Sequence, residues 1–292
     1  MGEKLTLKAP AKINLGLDVL GRRDNGYHDV RMVMQSIGLY DDVTIEKVEE
    51  PGICLEINLD FLPTDERNIA YKAAKILMDE FAISTGVKIK LEKHIPVAAG
   101  MAGGSTNAAA VLEGMNRLFS LGLTQKELME RGVKLGADVP YCIMKGTALA
   151  EGIGEILSPL PPLPECYILI AKPGISVSTK EVYEELDSKE IPEHPEIDGI
   201  LEGLEEANLE KIVSAMGNVL ERVTVQKYPV IDEIKQVMKK AGAMNAMMSG
   251  SGPTVFGIFK DRETAELAQK EIQKTKIAKD ICLTNDHNTR RS

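Results

Sequence analysis

Apolar and polar residues alternate along several segments of the chain with the two-residue period of a β-strand. Val-Lys-Ile-Lys-Leu at 87–91 is the clearest example, and residues 4–20 alternate in the same way, with a predicted break at Pro10. Alternation and short apolar runs together predict strands over 4–20, 43–48, 53–59, 87–91, 141–149, 166–171, 254–259 and 280–284.

Other segments, between these strands, show the helical spacing of apolar residues. It predicts helices over 68–81, 105–118, 124–134, 179–187, 208–216, 230–241 and 262–274. Turns are predicted at Pro51-Gly52, between two strands, at 136–140 and at 247–253. Strands and helices mix without regular βαβ alternation, which favours the α+β class.

The length and one proline-rich segment predict two domains. At 292 residues the chain is near the size at which a single core tends to divide. Leu160-Pro161-Pro162-Leu163-Pro164 is the strongest boundary signal, so we expect an N-terminal domain over 1–160 and a C-terminal domain over 161–292.

Charge and cysteine content narrow the possible functions. A net charge of −9 argues against nucleic acid or an anionic membrane as a partner, because both bind basic surfaces. The four cysteines are far apart and form no zinc-ligand spacing, which predicts a reducing compartment and no structural metal. No apolar run approaches the roughly 20 residues of a membrane span, and the N-terminus lacks a signal-peptide pattern, so we expect a cytoplasmic protein.

The first candidate site is Pro-Val-Ala-Ala-Gly-Met-Ala-Gly-Gly-Ser-Thr-Asn-Ala-Ala-Ala at 96–110, which follows a predicted strand and opens a predicted helix. A glycine-rich loop at a helix N-terminus binds anions, because its first N–H groups lack intrahelical acceptors and the helix dipole is positive there. Gly100, Gly103 and Gly104 are expected to allow close backbone approach and positive φ. Ser105 is expected to cap the helix, and Ser105 or Thr106 to offer a hydroxyl to Mg²⁺ or phosphate. A plain turn with a helix cap is the alternative, and the loop lacks the lysine of a Walker motif.

Three further segments carry candidate chemistry. Lys12 and Asn14 share one side of an otherwise apolar strand, Tyr27-His28 follow Gly26 in a turn, and Asp138 lies in a small apolar turn. Each alone has an ordinary structural explanation: a solvated lysine, a structural histidine, a turn aspartate.

Together these segments resemble the GHMP kinases, the family of galactokinase, homoserine kinase and mevalonate kinase. Met-Ser-Gly-Ser-Gly-Pro-Thr-Val-Phe at 248–256 is similar to the third motif of that family, and the resemblance runs from about residue 5 to about residue 284. It implies an N-terminal domain like ribosomal protein S5, a ferredoxin-like C-terminal domain and an active site in the cleft between them. It also implies ATP and Mg²⁺ as cofactors and a small-molecule substrate. The sequence does not distinguish a monomer from a homodimer.

The motifs at 11–15, 26–28 and 136–140 are similar to those of one family member, whose substrate is a methylerythritol linked to cytidine diphosphate. The resemblance implies ATP-dependent phosphorylation of its 2-hydroxyl, in the non-mevalonate route to isoprenoid precursors. It implies that Asp138 is the catalytic base and that Lys12 orients the attacking hydroxyl.

The remaining site residues also follow from the resemblance. Tyr27 and Tyr183 are implied to sandwich the cytosine and His28 to bond its edge, while base stacking on aromatic rings is worth about 1–3 kcal/mol. Asn14 and Thr179 are implied substrate contacts. The implied ATP-binding residues are Pro96, Val97, Ala98, Ala99, Gly100, Met101, Ala102, Gly103, Gly104, Ser105, Thr106, Asn68 and Lys93, with Ser105 also the implied Mg²⁺ ligand.

The sequence departs from the family at several positions, among them a threonine in the loop where serine is common. Ala98, Ala99 and Ala102 replace glycines that are common in relatives, which predicts a stiffer loop, and Met34 replaces an aromatic residue found in some. Two alternatives stay open. One is a GHMP kinase for mevalonate or homoserine, which Tyr27, His28 and Tyr183 disfavour; the other is a non-catalytic nucleotide-binding protein.

Overall fold

The computed structural model describes residues 3–189, 191 and 193–286. The chain divides into two compact units. Unit 1 contains Met1–Ala11, Leu39–Val97 and Ala102–Met144, and unit 2 contains Lys12–Gly38, Ala98–Met101 and Lys145–Ser292. Each unit is assembled from separate segments of the chain, whereas the predicted domains divide the chain once, at 160/161. That boundary stays a prediction.

Unit 1 combines the first part of β1 (Lys4–Arg22) and the second part of β2 (His28–Val48) with two further strands and four helices. These are β3 (Ile53–Ile57), β4 (Gly86–Glu92), α1 (Ile69–Glu80), α2 (Gly103–Leu118), α3 (Gln125–Gly132) and α4 (Val139–Met144). The strand order is β3-β4-β2-β1. A β-carbon on Gly114 would lie 2.3 Å from Cδ1 of Ile45. The glycine therefore lets α2 lie close against the sheet, which fixes the position of its N-terminus.

The strand at 87–91 inserts between two strands that are consecutive in the chain. β3 is parallel to β4, with Leu55 opposite Ile89, and β2 is antiparallel to β4, with Ile45 opposite the same Ile89. Pro51-Gly52 therefore lies in a bend, as predicted, but the strands that it joins are not neighbours.

Unit 2 contains a four-stranded antiparallel sheet of β7 (Tyr167–Lys172), β9 (Asn245–Met248), β10 (Val255–Phe259) and β11 (Asp280–Asn285). The order across it is β11-β7-β10-β9, so the strands lie in the chain order fourth, first, third, second. Helices join the first strand to the second and the third to the fourth, as in the ferredoxin-like arrangement. The predicted α+β class and ferredoxin-like unit are thus confirmed.

The rest of unit 2, in the residues that the structure describes, extends β1 and β2 and supplies six helices. β5 (Thr147–Glu151) pairs with β2 and with β6 (Ile156–Pro159), and β8 (Gly217–Asn218) pairs with β1. The helices are α5 (Thr179–Leu186), α6 (Ile197–Glu205), α7 (Leu209–Ala215), α8 (Glu221–Lys227), α9 (Val230–Lys240) and α10 (Arg262–Thr275). No helix in the described part of the chain is long and apolar enough to cross a membrane.

Several sequence predictions were wrong in detail. β1 continues through Pro10, and β8 pairs with it only at Gly16 and Leu17, so the missing N–H of Pro10 breaks no bond to β8. The predicted strand at 141–149 is correct only at its end, which lies in β5, whereas 141–144 belong to α4, because the N–H of Cys142 bonds the carbonyl of Asp138 and closes a helical turn. A short apolar run does not distinguish the two structures.

The sequence patterns also missed further elements. Residues 28–42 of β2 were not predicted as strand, nor were β6, α6, β8 and α8, and β9 was missed because its end falls in a segment assigned to a turn. Residues 30–37 of β2 are almost continuously buried, so the strand lacks the alternation of a half-exposed strand.

Candidate active site

The glycine-rich loop enters α2 earlier than predicted. The helix begins at Gly103, its N-cap is Ala102, and no side chain caps it, so the prediction that Ser105 caps the helix was wrong. Gly103, Gly104 and Ser105 instead supply the first-turn N–H groups, which have no acceptor within the helix. With the dipole of a 16-residue helix behind them, these groups give the helix an end that is suited to an anion.

Left-handed backbone occurs in the loop at positions other than those expected. Of the three predicted glycines only Gly100 has a positive φ, +70°, whereas Ala98 and Ala102 have φ of 51° and 56°. For alanine this conformation costs roughly 1–2 kcal/mol. The loop therefore holds two strained alanine residues.

Gly100 lies against the third motif, within unit 2. A β-carbon there would lie 2.2 Å from the carbonyl oxygen of Ser249, which is closer than any real contact. The hydroxyl of Ser249 donates to the carbonyl of Gly100 over 3.0 Å. The two glycine-containing segments are thus joined by direct backbone approach.

A buried polar cluster, the Asp41 cluster, holds the start of α2 within unit 1. Lys93 Nζ contacts Asp41 Oδ2 and donates to Asn107 Oδ1 (2.8 Å) and to the carbonyl of Gly103 (3.3 Å). Asp41 Oδ1 accepts from the N–H groups of His94 (2.7 Å) and Ile95 (2.8 Å). The cluster thereby ties β2, the end of β4 and the first turns of α2 together.

Burial governs the electrostatics of this cluster. The Asp41 side chain is fully buried and that of Lys93 is 5% exposed. Burial lowers the pKa of Lys93, and the neighbouring Asp41 carboxylate opposes that change. Lys93, predicted to bind ATP, therefore has its ammonium engaged by three oxygen atoms. No sequence pattern pointed to Asp41, because it lies 52 residues from Lys93.

Asn68 and Thr106, also predicted to bind ATP, lie at the starts of α1 and α2. Asn68 caps α1: its Oδ1 accepts from the N–H of Ala70 and its Nδ2 donates to the carbonyl of Pro63, both at 2.9 Å. Thr106 is buried, and its hydroxyl has no hydrogen-bond partner in the described structure. An unpaired buried hydroxyl in the first turns of α2 fits a ligand at that end.

Lys12 and Asn14 share one side of β1, as their spacing predicted. Lys12 Nζ donates to Asn14 Oδ1 over 2.8 Å, and Asn14 Nδ2 points to the sulfur of Met32 at 3.2 Å. Lys12 is 6% exposed and Asn14 is fully buried. The N–H of Lys12 bonds the carbonyl of Met101 over 3.2 Å, so the lysine and the end of the glycine-rich loop are fixed together in unit 2.

The third motif is held by residues that the sequence analysis missed. Nδ2 of Asn218, on β8, donates to the carbonyls of Met248 (2.9 Å) and Gly250 (2.8 Å). Thr179, a predicted substrate contact, has its hydroxyl 2.8 Å from that of Ser251. Asn218 belongs to a two-residue strand with no periodic pattern, so no sequence signal identified it.

His28 and Tyr183 come together in unit 2, although they lie far apart in the chain. Their ring centroids are 4.8 Å apart with a 37° tilt. His28 Nε2 lies 2.6 Å from Asp187 Oδ1, and Arg22 Nη1 lies 3.3 Å from Asp187 Oδ2. Tyr27 is 58% exposed and follows Gly26, whose φ is +84°. The turn and the His28–Tyr183 pair thus present aromatic surface next to a bonded histidine.

Asp138 directly precedes α4 in unit 1 and is half-buried. Its carbonyl accepts the N–H of Cys142 over 3.0 Å, which fixes its backbone at the helix start. The helix contains Pro140 in its first turn, where the missing N–H of proline costs no helical bond.

Comparison with known proteins agrees with these motifs. The family profile "GHMP kinases N terminal domain" matches residues 68–146, and "GHMP kinases C terminal" matches residues 200–278. A 4-diphosphocytidyl-2-C-methyl-D-erythritol kinase of Lachnospira eligens is 55% identical over 282 residues, which cover 97% of this chain and 98% of that protein. One of Lachnoclostridium phytofermentans is 55% identical over 280 residues, 96% of each chain. A crystal structure of 4-(cytidine 5'-diphospho)-2C-methyl-D-erythritol kinase superposes with a TM-score of 0.82 at 30% identity, covering 97% of this chain and 100% of that one.

Proposed function

We propose that this chain transfers the γ-phosphate of ATP to the 2-hydroxyl of 4-diphosphocytidyl-2-C-methyl-D-erythritol. The chain belongs to the kinases named for that substrate, within the GHMP kinase family. The chain is an ATP-dependent small-molecule kinase, and the product enters the non-mevalonate pathway to isoprenoid precursors. The observation that carries the substrate assignment is 55% identity over nearly the whole length of both chains.

The phosphates of ATP bind at the N-terminal end of α2. The N–H groups of Gly103, Gly104 and Ser105 point out of the helix, and Thr106 adds a buried hydroxyl without a protein partner. The loop residues from Pro96 to Ala102 complete the ATP-binding segment. The Asp41 cluster keeps this helix end in place, because Lys93 bonds the carbonyl of Gly103.

The roles of Asn68 and Lys93 at the adenine stay predictions. The side-chain amide of Asn68 already caps α1, and the ammonium of Lys93 already bonds three oxygens. Both residues therefore support ATP binding through the elements that they hold: α1 for Asn68 and α2 for Lys93.

Mg²⁺ prefers oxygen ligands and binds with substrate phosphates, and the hydroxyl of Ser105 in the first turn of α2 fits that requirement. When bound, Mg²⁺ supplies charge neutralisation on the phosphates. The protein's own contribution at this point is the hydroxyl of Ser105 and the dipole of α2.

The transfer step needs an oriented hydroxyl and an acceptor for its proton. The 2-hydroxyl oxygen attacks the γ-phosphorus, the bond between that phosphorus and the β,γ-bridging oxygen breaks, and ADP leaves. Asp138 takes the hydroxyl proton. Lys12 orients the hydroxyl and offsets charge on the transferred phosphoryl group, and its bond to Asn14 fixes its direction.

The cytidine end of the substrate binds at His28. Tyr27 and Tyr183 supply aromatic surface for the cytosine, His28 bonds the edge of the base, and Asn14 and Thr179 contact the substrate. Mevalonate and homoserine have no nucleobase to occupy such a site, which disfavours mevalonate kinase and homoserine kinase activity. We place the protein in the cytoplasm, where ATP is available, as a monomer or homodimer.

The test is an ADP-coupled assay with ATP and Mg²⁺, comparing the cytidine substrate with mevalonate and homoserine. Asp138→Asn should lower kcat by about 10²–10⁴ with little change in KM, which is the range for loss of a general base. Tyr27→Leu should instead raise the KM for the cytidine substrate. Turnover of mevalonate or homoserine in place of the cytidine substrate would contradict the assignment, and ATP binding without any turnover would support the non-catalytic alternative.

A further inference from the structure

We infer that Asp187 is a positioning residue that makes the base site selective for cytosine over uracil, because it keeps Nδ1 of His28 as a hydrogen-bond acceptor. The inference rests on the proposed function, since it takes the cytidine end of the substrate to lie at His28. Nothing in the sequence motifs pointed to Asp187, which lies 159 residues from His28.

The geometry fixes the imidazole ring from two sides. His28 is the first residue of β2, and Asp187 is the C-cap of α5. Nε2 of the histidine lies 2.6 Å from Oδ1 of Asp187, and the Tyr183 ring lies beside the imidazole at 4.8 Å between centroids. The side chain of His28 is 8% exposed and that of Asp187 is 23% exposed, so water competes little for this bond.

The carboxylate of Asp187 decides which ring nitrogen carries the proton. An ionised carboxylate only accepts hydrogen bonds, so Nε2 must carry the hydrogen that it donates to Asp187. In a neutral imidazole the other nitrogen is then an acceptor. Nδ1 has no hydrogen-bond partner among the described residues, which leaves this acceptor available for a ligand.

Arg22 keeps Asp187 in its acceptor role. Its guanidinium lies 3.3 Å from Oδ2, the oxygen that does not bond His28. The guanidinium has only N–H donors and is not deprotonated in proteins, so this ion pair suits a carboxylate that acts as an acceptor. Asp187 and Arg22, which lie outside the base site, therefore set the direction of the hydrogen bond between His28 and Asp187.

An acceptor at Nδ1 distinguishes the two pyrimidines at their 4-position. Cytosine carries a 4-amino donor there, whereas uracil carries an oxygen acceptor, as thymine does. With cytosine bound, the lone pair of Nδ1 accepts a hydrogen bond from the 4-amino group. With uracil bound, it faces a lone pair of the 4-oxygen and is repelled. The site therefore distinguishes the two bases by repulsion as well as by attraction. Without Asp187 the ring can take the other tautomer, and Nδ1–H then donates to the uracil oxygen.

The experiment compares the cytidine substrate with its uridine analogue, at saturating ATP, in the wild type and in Asp187→Ala. We expect the variant to lose about tenfold or more of the preference in kcat/KM for cytosine, which corresponds to the loss of one discriminating hydrogen bond. KM for the cytidine substrate should rise and kcat should change by less than about twofold. The matched control is Asp29→Ala, which removes the neighbouring carboxylate that bonds Arg23 and should leave the base preference unchanged.

A measurement on the wild-type protein tests the inference even if the Asp187→Ala variant does not fold. The ¹⁵N NMR shifts of the His28 ring, assigned by difference with His28→Gln, report which nitrogen is protonated. Protonated Nε2 and unprotonated Nδ1 are expected at the assay pH. Protonation of Nδ1, or an unchanged base preference in folded Asp187→Ala, overturns the inference, as does an equal fall in kcat for both substrates. If the wild type phosphorylates neither substrate, the proposed function itself fails.

Discussion

Gly100→Ala should destabilise the protein strongly, although the substitution adds a single methyl group. Gly100 has φ of +70°, and the new β-carbon would lie 2.2 Å from the carbonyl oxygen of Ser249 and 3.1 Å from that of Gly252. These are backbone atoms, so no side-chain rotation relieves the contact. The backbone must move by about 1 Å to restore van der Waals distance.

Two contributions set how strongly Gly100→Ala destabilises the protein. Left-handed alanine costs roughly 1–2 kcal/mol relative to glycine, and overpacking of a close-packed site costs about 1–3 kcal/mol. Ala98 and Ala102 already adopt left-handed backbone, so this loop tolerates the conformational cost. We therefore expect a loss of roughly 2–5 kcal/mol in the free energy of unfolding, with the clash as the larger part.

Thermal unfolding measures this effect directly. A change of 1 kcal/mol shifts Tm by about 2–4 °C in domains of 150–250 residues, so a decrease in Tm of roughly 10 °C is expected. Gly174→Ala is the matched control, because its β-carbon meets no atom within 4 Å and its φ is not positive; it should change stability by no more than about 0.5 kcal/mol. If Tm of Gly100→Ala stays within about 1 °C of the wild type, the reasoning from the Ser249 contact is wrong.

Three further predictions concern the loop, the buried ion pair and one surface carboxylate. Ala102→Gly should stabilise the protein by about 0.5–1 kcal/mol in urea unfolding, because it relieves φ of 56° at an N-cap without a side-chain bond; destabilisation would contradict this. Asp41→Asn should cost about 3–5 kcal/mol by leaving Lys93 buried without a counterion, and adding Lys93→Met should restore part of that loss; additive losses in urea would refute the coupling. The Arg67 side chain lowers the pKa of Asp65 to about 2, so the exposed pair favours the folded state at neutral pH and ceases to do so as the pH falls toward 2. In ¹³C NMR titrations Arg67→Gln should raise this pKa toward its ordinary value of 3.8, and an unchanged pKa would exclude Arg67 as the cause.

The sequence by itself determined the elements whose signals are local. Alternation identified the strand at 87–91, and Asn68 was recognised as the start of a helix, because both periodicity and capping act over a few residues. The ordered motifs gave the family, and the shared side of Lys12 and Asn14 followed from strand parity. The roles assigned to site residues, including Asp138, remain predictions.

The tertiary structure alone decided which distant residues meet. The order of strands placed β4 between β2 and β3, and residues 141–144, predicted as the start of a strand, became part of a helix. Asp41 reaches Lys93 across 52 residues, and Asp187 reaches His28 across 159. No period or spacing in the sequence records these pairs, because they depend on packing between separate segments, which also holds Ala98 and Ala102 in a conformation that alanine disfavours by itself.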